Sequence, residues 1–319
     1  MLRSLLAVAV LSIASSASLA QSWPAKPIKY IVPFPPAGAT DLISRPLAEK
    51  LRERLGQPVV IENIGGAGGS IGVSRLAHAP ADGYVIGLGN SATHTITPNL
   101  LAKLPYDPAN DFTPISMLTE YVNVLVVTSR LPAQDIKQFL QIARTKPGGL
   151  SYGSAGPGSS NHLTSELLAT QAGVTFTHVP YKGNGAALSD LAAGHVDWMF
   201  ATISEVRPLV QAGKIRALGI SGRERDPLLP DVAPVREALP DFEVVGFMGL
   251  FAPARLPSPI VARLNTEVRA ILASPDVVER FTAQGMKARS STPEELAARV
   301  ARDLALWKSV IAAAGIKPE

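Results

Sequence analysis

The chain has 319 residues, a formal net charge of +4, 18% charged residues and no cysteine. The absence of thiols excludes disulfides, thiolate metal sites, a Cys nucleophile and a lipid-modified N-terminal Cys. Lys and Arg are scattered among Asp and Glu, whereas nucleic-acid binding shows as a clustered basic stripe, so nucleic acid is not expected as a partner and the small excess suits anionic small molecules at most.

Residues 1–20 read as a cleavable secretory signal, with Arg3 as the positive region, an apolar core over 5–13 and Ser18-Leu19-Ala20 as a small-residue cleavage site. That apolar run is well short of the roughly 20 residues a spanning helix needs, so no membrane anchor is expected. The mature chain would begin near Gln21 in an exported, periplasmic compartment, and its length suits two lobes of ordinary domain size.

From residue 29 short apolar runs alternate with helical periodicity. A strand over 29–34 leads through a loop of small residues into a helix over 42–55, in which Ile43, Leu47, Leu51 and Leu55 share one face. Pro46 falls inside that helix, where it is tolerable only in an unpaired first turn or at a kink. A strand over 59–62, a glycine-rich loop over 65–70 opening a helix to about His78, a turn at Ala81-Asp82-Gly83 and a strand over 84–89 complete a βαβαβ unit. Such a unit implies a mostly parallel sheet covered on both faces.

A second unit of the same kind runs from a strand over 122–128 through a helix over 135–144 to a strand over 150–153. A helix over 161–171 closed by Gly173, a strand over 175–179, a helix over 186–193 ended by Gly194 and a strand over 196–200 follow. In the helical C-terminal quarter, Ser258-Pro259, Ser274-Pro275 and Thr292-Pro293 each set a capping hydroxyl before a first-turn proline. Glu295 completes a capping box with Thr292, and Leu296, Val300, Leu304, Trp307 and Ile311 align on one buried face. The fold class expected is α/β, with two Rossmann-like lobes.

Two stretches carry the functional signal: Pro33-Phe34-Pro35-Pro36-Ala37-Gly38-Ala39-Thr40-Asp41 and Gly153-Ser154-Ala155-Gly156-Pro157-Gly158-Ser159-Ser160-Asn161-His162. Each is a strand, a loop of small residues and a helix start, which suits an anion held on unpaired N–H groups. A branched residue at Gly38 is expected to block that approach and to strain the loop. The 65–70 loop lacks the last glycine of G-x-G-x-x-G, where Ile71 stands, and the Gly-Lys-Ser/Thr ending of a P-loop. It reads as a tight turn at the rim of a cleft, and no cofactor is expected.

Serine chemistry is the enzymatic alternative. Ser154 lies one residue out of register with the G-x-S-x-G elbow, with His162 or His178 as a candidate base, but a hydrolase also needs an orienting acid and an oxyanion hole. The five histidines, His78, His94, His162, His178 and His195, show no His-x-x-x-His pairing, so metal catalysis is not expected.

The ordered run of motifs resembles the substrate-binding proteins of tripartite tricarboxylate transporters, often called Bug proteins. It comprises the first loop, Gly-Gln-Pro-Val-Val-Ile-Glu-Asn at 56–63, Gly-Ala-Gly-Gly-Ser-Ile-Gly at 66–72 and Ala-Asp-Gly-Tyr at 81–84. It continues through Tyr-Gly-Ser-Ala-Gly-Pro-Gly-Ser-Ser-Asn-His-Leu at 152–163, His-Val-Pro-Tyr-Lys-Gly at 178–183, Leu-Pro-Asp-Val-Ala-Pro at 229–234 and Gly-Leu-Phe-Ala-Pro at 249–253.

The resemblance implies a type II-like periplasmic-binding-protein fold, a Venus flytrap with a central cleft. Crossings near Tyr121 and Val245 would make 21–121 with 245–319 the first lobe and 122–244 the second. It further implies a monomeric receptor, not an enzyme, that takes a small carboxylate and delivers it to membrane permease subunits. The implied ligand contacts are Phe34, Pro35, Pro36, Gly38, Ala39, Thr40 and Asp41, with Ser91, Thr93 and His94 beside them. From the second lobe come Ser154, Ala155, Gly156, Ser159, Ser160, Asn161 and His162, then Tyr181, Lys182, Ala201 and Thr202.

Three departures from the family's usual pattern stand out: Ala37 in place of Gly, Ile64-Gly65 in place of Arg-Pro, and Ala201 where many members have Asp. The last removes a partner for an ammonium group and favours di- and tricarboxylates or aromatic carboxylates over amino acids. A ligand-loaded sensor for a signalling kinase and a secreted serine hydrolase remain the alternatives.

Overall fold

The computed structural model describes residues 23–146 and 149–316; the secretory segment expected over 1–20 lies outside the described residues. Strand β1 (Ile28–Val32), helix α1 (Ala39–Leu55), β2 (Val59–Asn63), α2 (Ser70–Ala77) and β3 (Val85–Asn90) form the expected βαβαβ unit. β1 pairs in parallel with both β2 and β3, and Ile28, Tyr30, Ile31 and Val32 are buried between the helical layers. After β3 come a π-helical turn, Ala92–Ile96, and a 3-10 turn, Thr97–Asn99.

β4 (Phe112–Thr128) is a 17-residue strand, of which the apolar pattern revealed only the second half. Its first half carries Pro114, Ser116, Thr119 and Glu120 and shifts register twice against its neighbour, so hydrophobic periodicity is broken there. Then follow α3 (Ile136–Thr145), β5 (Leu150–Ser154), α4 (Ser160–Ala172), β6 (Phe176–Pro180), α5 (Asn184–Ala193), β7 (Trp198–Thr202), α6 (Ile203–Gln211) and β8 (Ile215–Ile220). The chain ends through β9 (Val245–Pro253), α7 (Ser258–Leu272), α8 (Pro275–Ala283), β10 (Met286–Ala288) and α9 (Pro293–Ala313).

The strand order is β2-β1-β3-β9-β4-β7-β5-β6, with β8 and β10 also on β4. β4 therefore runs through both halves of the molecule: β9 and β10 flank its first part, and β7 and β8 its second. The second unit is less regular than expected, because β7 lies between β4 and β5 and is antiparallel to β4. Parallel pairing there joins β5 to β6 and β5 to β7. Parallel strands end together, so the loops after β1 and β5 sit at the carboxyl ends of their sheets, where open α/β sheets bind ligands.

Two local expectations change. Pro46 lies in the interior of α1; the acceptor it leaves without an N–H is the carbonyl of Leu42, an exposed residue, which water can satisfy. Ser258 is the first residue of α7 and Pro257 its N-cap. Ser274 is the N-cap of α8, but its hydroxyl donates backward to the Ile271 carbonyl. The box at Thr292 forms: Thr292 N–H donates to Glu295 at 2.8 Å, and Glu295 N–H to Thr292 Oγ1 at 3.2 Å. α9 then packs Leu296 and Val300 among Phe247 and Phe251, and Trp307, Val310 and Ile311 among Phe139, Leu163 and Trp198. One helix thus closes a core in each half.

Candidate functional site

The first loop is held from beneath by Asp41, itself 2% exposed. Asp41 Oδ2 accepts the Ala37 N–H at 3.0 Å and Arg45 Nε at 2.7 Å, while Oδ1 accepts Asn63 Nδ2 at 3.1 Å. Burial works against its charge, but these hydrogen bonds outweigh it and hold the carboxyl below its usual value. Asn63 Nδ2 also donates to the Phe34 carbonyl at 3.1 Å, tying the loop to the end of β2. Asp41, expected as a ligand contact, has its carboxylate committed to the loop itself.

That arrangement leaves the Gly38, Ala39 and Thr40 N–H groups at the start of α1 without a partner among the described residues. The strained position is not Gly38, whose φ of −79° is ordinary, but Ala37, at φ 65°. A Cβ on Gly38 would meet only the Pro35 carbonyl, at 3.7 Å, so the strain expected there is absent. The glycine-rich loop before α2 serves close approach: at Gly69, φ 95°, a Cβ would stand 3.0 Å from Phe34 Cζ and 2.8 Å from Thr93 Cγ2.

The second loop spends more of its donors on itself. Asn161 Oδ1 accepts from Ser159 Oγ at 2.7 Å, His162 N–H at 3.1 Å and Ala155 N–H at 3.3 Å. Its Nδ2 donates to Asn184 Oδ1 and the Phe200 carbonyl, and Asn184 Nδ2 in turn donates to both oxygens of Glu205 at 3.0 Å. Gly156 N–H goes to Ser154 Oγ and Gly158 N–H to His162 Nδ1. Ser160 and Asn161 N–H remain without a partner among the described residues.

Ser154 Oγ lies 2.6 Å from His178 Nε2, and the His178 ring stacks on His162 at 4.1 Å and on Tyr152 at 4.8 Å. Burial pushes His162 down to about 4; burial, then the neighbouring imidazole, does the same to His178 against the opposing charge of Glu166. The Tyr152 hydroxyl bonds Glu166, and burial followed by that carboxylate raises its pKa. Ser154 is fully buried, and Glu166 hydrogen-bonds Tyr152, not His178. The dyad thus lacks an orienting acid and access, and it braces the loop.

The remaining expected residues divide. Ser91 Oγ accepts the Phe247 N–H of β9 at 2.9 Å. Thr93, fully buried, bonds Asn90 and His94, and the His94 ring lies between Phe112 and Phe251 at 4.8 and 4.2 Å. The Thr93 and His94 side chains, expected as ligand contacts, are taken up by this packing; burial lowers His94 to about 3. Tyr181 gives its hydroxyl to Asp190 and its N–H to the Ser154 carbonyl, which leaves Lys182 exposed beside the second loop. Ala201 is buried on β7, and Thr202 caps α6 through Glu205 at 2.7 Å.

Sequence reading missed Asn63, Asn184 and Glu205. For Asn63 the usable signal was an Asn ending the strand beside a helix start; Glu205 is the third residue after a capping threonine. No group of three or more metal-ligating side chains occurs among the described residues, and no described helix is long and apolar enough to cross a membrane.

A family profile described as the tripartite tricarboxylate transporter family receptor matches residues 43–316. Protein BugT of Bordetella pertussis is 34% identical over 312 residues, covering 97% of this chain and 95% of BugT. Among solved structures, an R. palustris protein with adipate is 36% identical with a TM-score of 0.80, covering 93% of this chain and all of that one. MatC from Rhodopseudomonas palustris with bound malate is 37% identical with a TM-score of 0.75, covering 91% of this chain and all of MatC.

Proposed function

This chain belongs to the tripartite tricarboxylate transporter receptor family, solute-binding proteins and not enzymes, and we propose that it captures a small dicarboxylate, tricarboxylate or aromatic carboxylate in its cleft. The observation that carries this reading is the set of three consecutive N–H groups at Gly38, Ala39 and Thr40 on the end of α1 that have no partner among the described residues. An anion at a helix N-terminus gains about 0.3 to 1 kcal/mol when exposed and up to roughly 2 when partly buried. Two such ends with charge-assisted hydrogen bonds suffice for micromolar affinity, about −8.2 kcal/mol, without a dedicated arginine.

A second carboxylate would meet the Ser160 and Asn161 N–H groups with Lys182 nearby. The lobes, 21–121 with 245–319 and 122–244, would close about the crossings of β4 and β9 and present the ligand to the permease subunits of a tripartite transporter. The receptor acts as a monomer in the periplasm after cleavage of its signal. Buried Ala201 offers no charge to an ammonium group, and the Glu205 carboxylate is already held by Asn184 and Thr202, so amino acids are disfavoured.

A thermal-shift screen of adipate, malate, citrate and terephthalate against their amides tests this, because a ligand of the native state alone raises stability by mass action. The acids should stabilise and the amides should not. Equal shifts for acid and amide would overturn carboxylate recognition.

A further inference from the structure

Leu100 follows the 3-10 turn after β3, in the half of the molecule built on β1, β2 and β3, yet it packs against the core of the other half. A Cβ on Gly158 would stand 2.4 Å from Leu100 Cδ1 and 3.6 Å from its Cγ. Gly158 also sits at φ 72°. Glycine is required there twice, once for the backbone angle and once for the space that Leu100 fills.

Beneath this contact lies a chain of bonds into the second loop. Gly158 N–H donates to His162 Nδ1 at 2.9 Å, which assigns the imidazole proton to Nε2, 3.9 Å from Glu166 Oε1. The His162 ring stacks on His178, and His178 reaches Ser154. Leu100 has a firm base of its own: its N–H donates to the Thr97 carbonyl, and neighbouring Asn99 donates to the Thr95 and Leu304 carbonyls, the latter in α9.

The turn's internal bonds run through the side chains of Ser154, Ser159, Asn161 and His162. Its glycines at 156 and 158, both at positive φ, carry no side chain of their own, so holding the Gly158 corner in place costs conformational entropy that an outside surface offsets. Leu100 is that surface. We propose that Leu100 is a positioning residue for ligand binding: its methyl group seats the 156–161 turn of the opposite lobe, so the Ser160 and Asn161 N–H groups are ordered for the ligand only when the lobes are docked. This rests on the reading of 154–162 as a ligand loop.

The test compares Leu100→Ala, Leu100→Met, Gly158→Ala and the double variant Leu100→Ala with Gly158→Ala. Adipate and malate affinities are measured by calorimetry, and the His162 ring protons are titrated by NMR without ligand. His178, Tyr152 and Glu166 surround that ring and are unchanged in every variant. Leu100→Ala should weaken binding about fivefold, on the scale of coupled contacts, mainly through faster dissociation, and should move the His162 titration toward its ordinary value as Gly158 N–H loosens.

Leu100→Met should retain wild-type behaviour in both readouts. Gly158→Ala should harm binding more in the wild-type background than in Leu100→Ala, where its methyl has room. Unchanged His162 titration and affinity in Leu100→Ala, or strictly additive effects in the double variant, would overturn the proposal. Failure of both acids to bind the wild-type protein would count against the ligand reading, and the His162 titration would still decide the role of Leu100.

Discussion

The loops at 33–41 and 154–162 share one pattern of strand, small residues and helix start, yet they handle their N–H groups oppositely. In the first, the organising acceptor is the Asp41 carboxylate, which takes the Ala37 N–H from the loop backbone and leaves the three that follow without a partner among the described residues. In the second, the acceptor is the Asn161 amide, which draws in Ala155, Ser159 and His162. The first is a row of open N–H groups braced by a charge, the proposed anion cradle; the second is a largely self-satisfied turn braced by neutral imidazoles. Composition made them look alike, and the position of one acceptor relative to the helix start separates them.

The largest expected effect comes from filling the cradle. Gly38→Val should abolish carboxylate binding while the circular-dichroism spectrum stays unchanged, since the backbone angle is ordinary and the nearest atom to a new Cβ is 3.7 Å away. Retained affinity, measured by calorimetry, would mean that the second loop alone holds the ligand. Asp41→Ala should follow, with a loss of about 3 kcal/mol in urea unfolding, because a buried donor left unsatisfied costs about 1 to 3 kcal/mol and several lose their acceptor together. Stability within about 0.5 kcal/mol of wild type would show that the first loop needs no charged brace.

Acid should separate the loops by pH. His162 and His178 are held near 4 in the folded protein, against about 6.5 when unfolded. Between those values the unfolded chain binds more protons, so stability rises with pH across the window and is lost as pH falls toward 4. The depressed Asp41 carboxyl has the same sign but acts lower: its contribution is present above 3.8 and lost below. Melting temperature followed from pH 7 to 4 should therefore decline first through the second loop, and His178→Gln should flatten that limb. A flat wild-type profile would contradict the neutral-imidazole brace.

The smallest effect runs the other way. Ala37 at φ 65° bears a left-handed penalty of about 1 to 2 kcal/mol, partly offset by the greater freedom that glycine loses on folding. Ala37→Gly should stabilise by about 0.5 kcal/mol, raising Tm by roughly 1 to 2 °C, with affinity unchanged. A lower Tm would show that the loop needs the alanine methyl.

Much of this was legible beforehand. The βαβαβ unit, both loops, the Gly173 and Gly194 helix ends, the Thr292 box and burial of Trp307 all follow from local patterns that tertiary structure left in place. Long-range pairing was not legible: the first half of β4 is polar enough to hide, and α6, β8 and the insertion of β7 between β4 and β5 depend on partners far away in sequence. At the candidate site, residue types marked two loops but could not tell a side chain open to the cleft from one that holds the loop. Asp41, Thr93 and His94 fall in the second class because of burial and bonding that emerge only in the fold.

α9 contributes Leu296 and Val300 to one core and Trp307, Val310 and Ile311 to the other. Melting either core would strip a wall from its neighbour, so neither half has a stability of its own to measure. Calorimetry should record one transition whose van't Hoff and calorimetric enthalpies agree, the behaviour of a small single domain.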